Sequence, residues 1–311
     1  MTAGRNLPSS VAIREVGPRD GFQNEPEIIV TADKVALIDR LARTGLRRIE
    51  VTSFVRPDVI AQLADARDVL TAIDVPAGVA RSVLIPNERG LDRALELRDR
   101  FEEIGVFLSA SETHNRRNVN RSVAESLAGA GRVIARALAA GLRVEAIIST
   151  SFGCPYEGRV DRARVLELAR RLAAAGAAEI AFGDTTGMAN PLQVGEHFDD
   201  AAAALGDGVQ LTAHFHNTRG QGLANVLAAL QAGCASFESS FGELGGCPVA
   251  PGATGNIASE DLVAMLHEIG IGTGVDLEAL LGAARAVREV LGRPLGSHTL
   301  VAGPVRWESG G

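Results

Sequence analysis

The sequence predicts a (β/α)8 barrel with a C-terminal helical extension, and three observations lead there. Eight short apolar runs rich in Val and Ile alternate with Ala/Leu/Arg-rich stretches of helical period. No Gly-x-Gly-x-x-Gly follows the first run, which counts against a doubly wound open sheet, the competing α/β architecture. Polar, chemically capable residues collect where the runs end, the face at which such barrels work. The 311 residues suit a catalytic barrel over 1–270, close to the usual ~250, with a helical extension and tail packed on it over 271–311.

Ser10–Val16 reads as the first strand and runs into Gly17-Pro18-Arg19-Asp20-Gly21-Phe22-Gln23-Asn24. The remaining strands are expected at Arg48–Ser53, Gly78–Leu84, Ile104–Ser109, Arg143–Ser149, Ala178–Phe182, Val209–His214 and Cys234–Ser240. Their apolar character suits a parallel sheet buried on both faces. Helical periodicity falls near 31–44, 57–72, 87–99, 122–140, 161–175, 191–205 and 218–232, and again over Leu277–Leu291. Ser122 with Glu125 makes a capping box, and Gly45, Gly141, Gly176 and Gly233 sit just past helix ends, where a left-handed residue is wanted. The fourth strand runs into Ser111-Glu112-Thr113-His114-Asn115, the sixth into Gly183-Asp184-Thr185-Thr186-Gly187, and the eighth into a glycine-rich loop, Gly242–Pro248 and Gly252–Asn256.

Composition bounds the function. With 46% hydrophobic and 22% charged residues the chain can bury a large core, and its net charge of −7, without any basic and aromatic interleaving, argues against a nucleic-acid partner. No apolar run approaches the ~18–20 residues of a membrane span. The first ten residues lack an apolar signal region and carry one Arg, so a cytoplasmic location is expected. Cys154, Cys234 and Cys247 show no CxxC spacing, so free thiols are expected. Lys34 is the only lysine among 31 basic residues and falls in the first turn of what reads as a surface helix. Covalent imine chemistry therefore has no evident amine.

His214 and His216, two apart at the end of the seventh strand, project from one face and form a fork for a metal ion. A pair of hydrogen-bonding strand-end histidines is the plainer alternative. Asp20, otherwise a turn residue, offers a carboxylate. Two imidazoles, a carboxylate, an amide oxygen and open positions suit an octahedral divalent ion such as Mg²⁺ or Mn²⁺. Glu50, in a buried strand, needs a partner such as Arg19 or a metal centre. Cys247 stands either as an acid/base thiol on a closing loop or as an inert loop cysteine. His197 and His267 fall in predicted helices as surface or packing residues, and His298 reads as solvated. Arg116 and Arg117 read as a solvated pair or as phosphate contacts.

Taken together, these residues resemble the 3-hydroxy-3-methylglutaryl-CoA lyase family, metal-dependent enzymes on a (β/α)8 barrel. The matching segments are EVGPRDGFQNE at 15–25, IEVTSF at 49–54, GCPYEG at 153–158, GDTTG at 183–187, HFHNTRGQGLAN at 214–225 and GELGGCPVAPGATGN at 242–256. The resemblance implies retro-Claisen cleavage of 3-hydroxy-3-methylglutaryl-CoA to acetoacetate and acetyl-CoA, with cleavage or condensation of a related 3-hydroxyacyl-CoA as the alternative. It implies that Asp20, His214, His216 and Asn256 hold the divalent cation, with His214 also catalytic. Arg19 would stabilise the enolate, Glu50 would orient Arg19 and the metal site, and Cys247 would act as acid/base. Gln23, Asp184 and Glu260 fall at positions expected to contact substrate or move protons. An acyl-CoA substrate and a homo-oligomer are expected. The pattern departs at Phe22, where leucine is common, at Asn217, where Asp is frequent, at Ala181, where a serine often stands, and over Ser111–Asn120.

Overall fold

All eight expected strands form, and they close on themselves. The computed structural model describes residues 7–246 and 255–307. The parallel strands are β1 (Ala12–Glu15), β2 (Arg48–Ser53), β3 (Ala80–Leu84), β4 (Glu103–Ser109), β5 (Arg143–Ser149), β6 (Glu179–Asp184), β7 (Gln210–Phe215) and β8 (Ser236–Ser239). They follow one another in chain order, and β8 seals the barrel against β1 with Ile13 beside Phe237 and Glu15 beside Ser239. A two-stranded antiparallel hairpin, Gly153–Cys154 with Gly158–Arg159, sits outside the barrel.

The surrounding helices are α1 (Thr31–Leu41), α2 (Ala66–Ala72), α3 (Glu88–Leu95), α4 (Glu112–Val119), α5 (Val123–Ala139), α6 (Arg162–Ala174), α7 (Pro191–Leu205), α8 (Gly222–Gln231), α9 (Ser259–Glu268), α10 (Leu277–Leu291) and α11 (His298–Ala302). The capping box of Ser122 and Glu125 closes the start of α5, and the four glycines past helix ends all have positive φ. α10 buries Leu280, Ala283 and Val287 in the same continuous apolar core as the barrel helices. No helix of the described residues is long and apolar enough to cross a membrane.

Three expectations change. The helix expected over 57–72 is broken: Val59 N and Ile60 N donate to Arg56 O in one turn, Ile60 is extended, and a short turn at Ala61–Leu63 follows before α2. Ser111–Asn115, read as loop, opens α4. Its sequence ETHNRRNV has no apolar stripe to betray a helix, and capping defines it: Ser111 Oγ accepts from His114 N at 3.1 Å, and Asn120 ends it in the left-handed region. Lys34 is buried, its ammonium bonded to Gln62 O and, at 2.8 Å, to Asp65. The inference drawn from it survives, since a lysine so held offers no free amine.

The barrel interior is more charged than its apolar strands suggested. Arg14 on β1 reaches Glu238 at 3.0 Å, Glu103 at 3.1 Å and Glu145, while Arg48 on β2 reaches Glu179 at 2.5 Å and Glu103 at 2.9 Å. All of these side chains are buried. They fill the amino-end half of the barrel, where inward positions of the strands would otherwise carry aliphatic layers.

Candidate active site

The carboxyl end of the barrel gathers its polar side chains from β1, β2, β6, β7 and the segment after β8. Directly after β1 the chain turns within one tight loop, with the N–H groups of Arg19 and Asp20 donating to Val16 O at 3.1 and 2.7 Å. Glu15 supports this turn: one carboxylate oxygen accepts from Gly17 N at 2.8 Å and Phe241 N at 3.0 Å, the other from Ser259 Oγ at 2.6 Å. A side chain at Gly17 would run into Phe241, with the nearest ring carbon 2.3 Å from a Cβ there, so the turn seats against the root of the β8 loop only with glycine.

That turn aims Arg19 and Asp20 inward. Arg19 Nε donates to Glu50 Oε2 at 2.6 Å and its Nη1 to Asp20 Oδ1 at 2.6 Å, so the guanidinium is fixed at both ends. Burial works against its charge, but Glu50 and Asp20 outweigh it and hold its pKa above the ordinary value. Burial pushes Glu50 up to about 7 against the pull of Arg19. For Asp20 burial is outweighed by Arg19, His214 and His216, which keep its carboxylate ionised. Gln23 Nε2 adds a bond to Asp20 Oδ1 at 2.8 Å.

The histidine fork has the geometry expected of it. His214 Nε2 and His216 Nε2 lie 3.1 Å apart, and each residue of the set Asp20, His214 and His216 offers one buried ligand atom within 4.8 Å of the others. His214 Nδ1 bonds Glu238 Oε2 at 2.9 Å, which turns Nε2 toward the cluster. Residues after the β8 loop run beside the end of β7, with His216 bridged to Asn256 and Ile257 N donating to Phe215 O. This brings Asn256 in: its Nδ2 donates to Asp20 Oδ2 at 2.8 Å, while its buried Oδ1 has no hydrogen-bond partner among the described residues. A Cβ on Gly245 would stand 2.5 Å from Asn256 Nδ2, so the loop passes the amide only as glycine. The donor set therefore fits a divalent cation: two imidazole nitrogens, a carboxylate and an orphaned amide oxygen.

Asp184, at the end of β6, ties Oδ1 to the N–H groups of Met188 and Ala189 at 2.8 and 3.1 Å and leaves Oδ2 buried without a partner among the described residues. Burial pushes it up to about 7. Arg19, Asp20, Gln23, His214 and His216 all line one cavity of about 530 Å³. Glu260 stands behind that wall, with both carboxylate oxygens at Gly242 N, and burial pushes it up to about 8. Cys247 lies outside the described residues. Cys154 and Cys234 are buried free cysteines, and burial pushes the Cys234 thiol up to about 12.

A model of the HMGL-like family matches residues 10–287. The chain belongs to that family. Hydroxymethylglutaryl-CoA lyase YngG of Bacillus subtilis is 50% identical over 293 residues, 94% of this chain and 97% of that protein. A Pseudomonas aeruginosa protein named 3-hydroxy-3-isohexenylglutaryl-CoA/hydroxy-methylglutaryl-CoA lyase is 43% identical, over 96% of this chain and 98% of its own length. Among solved structures, an HMG-CoA lyase from Acinetobacter baumannii in complex with coenzyme A and 3-methylmalate superposes with a TM-score of 0.91 at 41% identity, covering 98% of this chain and 97% of that one.

Within this HMGL-like barrel, sequence reasoning passed over Glu238 and Glu15. Each is a carboxylate in a strand predicted to be buried, the same signal that singled out Glu50. His197 is one of the expected packing residues: it is buried against Phe152, Phe182 and Phe198, and burial drives its pKa down to about 3. Arg116 pairs with Glu112 and Arg117 lies over the Tyr156 ring, so both are engaged at the surface. Phe22 is fully buried edge-on to Phe241 rather than on the cavity wall.

Proposed function

We propose that this chain cleaves 3-hydroxy-3-methylglutaryl-CoA to acetoacetate and acetyl-CoA in a divalent-metal-dependent reaction. The observation that carries this reading is the meeting of Asp20, His214, His216 and the orphaned Asn256 Oδ1 beside a guanidinium clamped by Glu50 and Asp20. Those four donors would hold Mg²⁺ or Mn²⁺, and a cation there acidifies the tertiary hydroxyl of the substrate. The relatives' names point to the same substrate.

The chain's own residues divide the remaining work. Arg19, unable to turn away from its two carboxylates, presents fixed positive charge to the thioester oxygen as the enolate develops. Asp184, by resemblance, would take part in the proton transfer, and its buried Oδ2, unpartnered among the described residues, leaves it an acceptor for that role. Glu50 orients Arg19, Glu238 orients His214, and Gln23 steadies Asp20. Glu15 and Glu260 brace the root of the β8 loop, which leads to Cys247. The Cys247 thiol, by resemblance, returns a proton to the enolate carbon while the loop excludes water. The segment from 271 onward serves as an extension that supports the barrel. Cytoplasmic action as a homo-oligomer completes the reading, and sedimentation of the purified chain reports the assembly.

The test is a steady-state assay of 3-hydroxy-3-methylglutaryl-CoA with Mn²⁺ or Mg²⁺. The expected result is acetoacetate and acetyl-CoA in equal amounts, lost in EDTA and restored by added metal. Turnover that EDTA leaves untouched, or no cleavage at all, would overturn it.

A further inference from the structure

Among the described residues, three that are not glycine hold a positive φ: Asn120, Thr150 and Glu243. Glu243 is the one on the segment that leaves β8. It follows Gly242 and sits at φ 62°, a conformation that glycine adopts freely and a glutamate only under strain. Such strain persists where the surrounding contacts hold it. Here the half-buried side chain makes those contacts: Oε1 accepts from Asn217 Nδ2 at 3.2 Å, and Oε2 packs on Gly296, where a Cβ would stand 2.7 Å away.

The backbone held by this anchor leads directly to a metal donor. One residue on, Leu244 O accepts from Asn256 N at 3.3 Å and from Asn256 Nδ2 at 3.1 Å. The Asn256 Nδ2 group also donates to Asp20 Oδ2 at 2.8 Å, so both amide hydrogens are engaged and Oδ1 is what the amide has left to offer. Glu243 O comes so close to Gly255 that a Cβ there would lie 1.8 Å away, and Gly255 O in turn accepts from Asn217 N at 3.0 Å. Asn217 thus meets the outgoing arm, at Glu243, through its side chain, and the returning arm, at Gly255, through its backbone. It also directly follows His216 in the chain.

Charge accounts for the amide at position 217, one of the places where the sequence departs from the family pattern by lacking an aspartate. Asn217 Oδ1 accepts from Gly222 N at 3.3 Å at the start of α8, a bond that an aspartate would keep. Its Nδ2 donates to Glu243, and there an aspartate would set one carboxylate against another. Glu243 already has an acid beside it, since single ligand atoms of Glu243, Asp261 and His298 lie within 4.8 Å of one another. Resting on the metal-site reading above, we propose that Glu243 and Asn217 are a positioning pair for Asn256. Their bond holds the left-handed turn, the turn sets Leu244 O, and Leu244 O orients the amide so that Oδ1 is free for the cation. The acid at 243 and the amide at 217 therefore depend on each other.

The experiment titrates Mn²⁺ into the EDTA-treated full chain as wild type, Asn256→Ala, Glu243→Ala, Asn217→Asp and the double variant Asn217→Asp with Glu243→Gln. Urea unfolding of each metal-free chain is recorded alongside. Glu243→Ala, which keeps the backbone strain and loses the carboxylate, and Asn217→Asp should each weaken Mn²⁺ binding at least about tenfold, as expected when support for a ligand is lost. In the double variant a glutamine amide can donate to the new aspartate, and affinity should return to within about threefold of wild type. A contact serving only the fold would shift the unfolding midpoint and leave Mn²⁺ affinity alone. If Glu243→Ala does not fold, Asn217→Asp and its rescue decide. Weakened binding in Asn256→Ala with unchanged affinity in the other single variants would overturn the positioning pair and leave Asn256 a ligand, and a double variant that fails to recover would overturn the pairing as well. Unchanged affinity in Asn256→Ala would overturn both the pair and the ligand it serves.

Discussion

The two ends of this barrel each bury a cluster of charge, and they handle it differently. At the amino end, Arg14 and Arg48 are surrounded by Glu103, Glu145, Glu179 and Glu238 in a network of opposite charges, with only Arg14 Nε and Glu145 Oε1 left unpartnered among its described atoms. At the carboxyl end, Arg19, Asp20, Glu50, His214, His216 and Asn256 also interlock, yet ligand atoms of Asp20, His214 and His216 converge within 4.8 Å of one another, and Asn256 Oδ1 has no partner among the described residues. A buried network of opposite charges matched to one another supports the fold, whereas one whose ligand atoms converge on a common point is built for something not supplied by the chain. Glu238 joins the two, one oxygen on Arg14 and the other on His214 Nδ1. The amino-end network thereby holds a metal-facing histidine in place.

The sharpest way to separate the ends is to remove one arginine from each. Arg14→Met leaves several buried carboxylates without their cation and should destabilise the chain by about 3–5 kcal/mol in urea unfolding. A loss under about 1 kcal/mol would mean that the amino-end network is not structural. Arg19→Met should do the reverse: Glu50, raised to about 7, can take up a proton, so the fold survives, while kcat drops at least ~10²-fold. Near-normal turnover would remove Arg19 from the chemistry.

A pH-dependent effect tests the layer between them. Glu260 is pushed from an ordinary 4.5 up to about 8 by burial behind Gly242, with Glu15 nearby raising it further. The folded chain thus keeps a proton that the unfolded chain gives up. This stabilisation is complete below about pH 4.5 and is lost as the pH rises toward 8. The wild-type chain should lose up to ~5 kcal/mol between those limits through this group, at ~1.4 kcal/mol per pH unit, and Glu260→Gln should flatten the slope. Glu15, raised to about 7, acts in the same direction, so the slope shrinks without vanishing. An unchanged slope in the variant would place the titration elsewhere.

The strands were legible because each is an apolar run of the right length between helical periods, and the site because its residues lie at the strand ends, where the fold predicts them. The charged layer was not legible. Arg14, Glu103, Glu145, Glu179 and Glu238 are single charges inside apolar strands, and sequence alone does not show that all of them meet at one level of a closed barrel. α4 was hidden for the opposite reason, since a polar segment held by Ser111 and Asn120 carries no period. Glu260 was placed by resemblance near the substrate, while the structure sets its carboxylate on Gly242, one layer back.

The most direct test of the contrast is metal binding by the purified chain, followed by Mn²⁺ titration after EDTA treatment. The account predicts one tight site per chain, with affinity reduced at least about tenfold in His216→Ala because one nitrogen donor is gone while the amino-end network is untouched. Equal Mn²⁺ affinity in wild type and His216→Ala would contradict it, and the converging donors at the carboxyl end would then be no metal site.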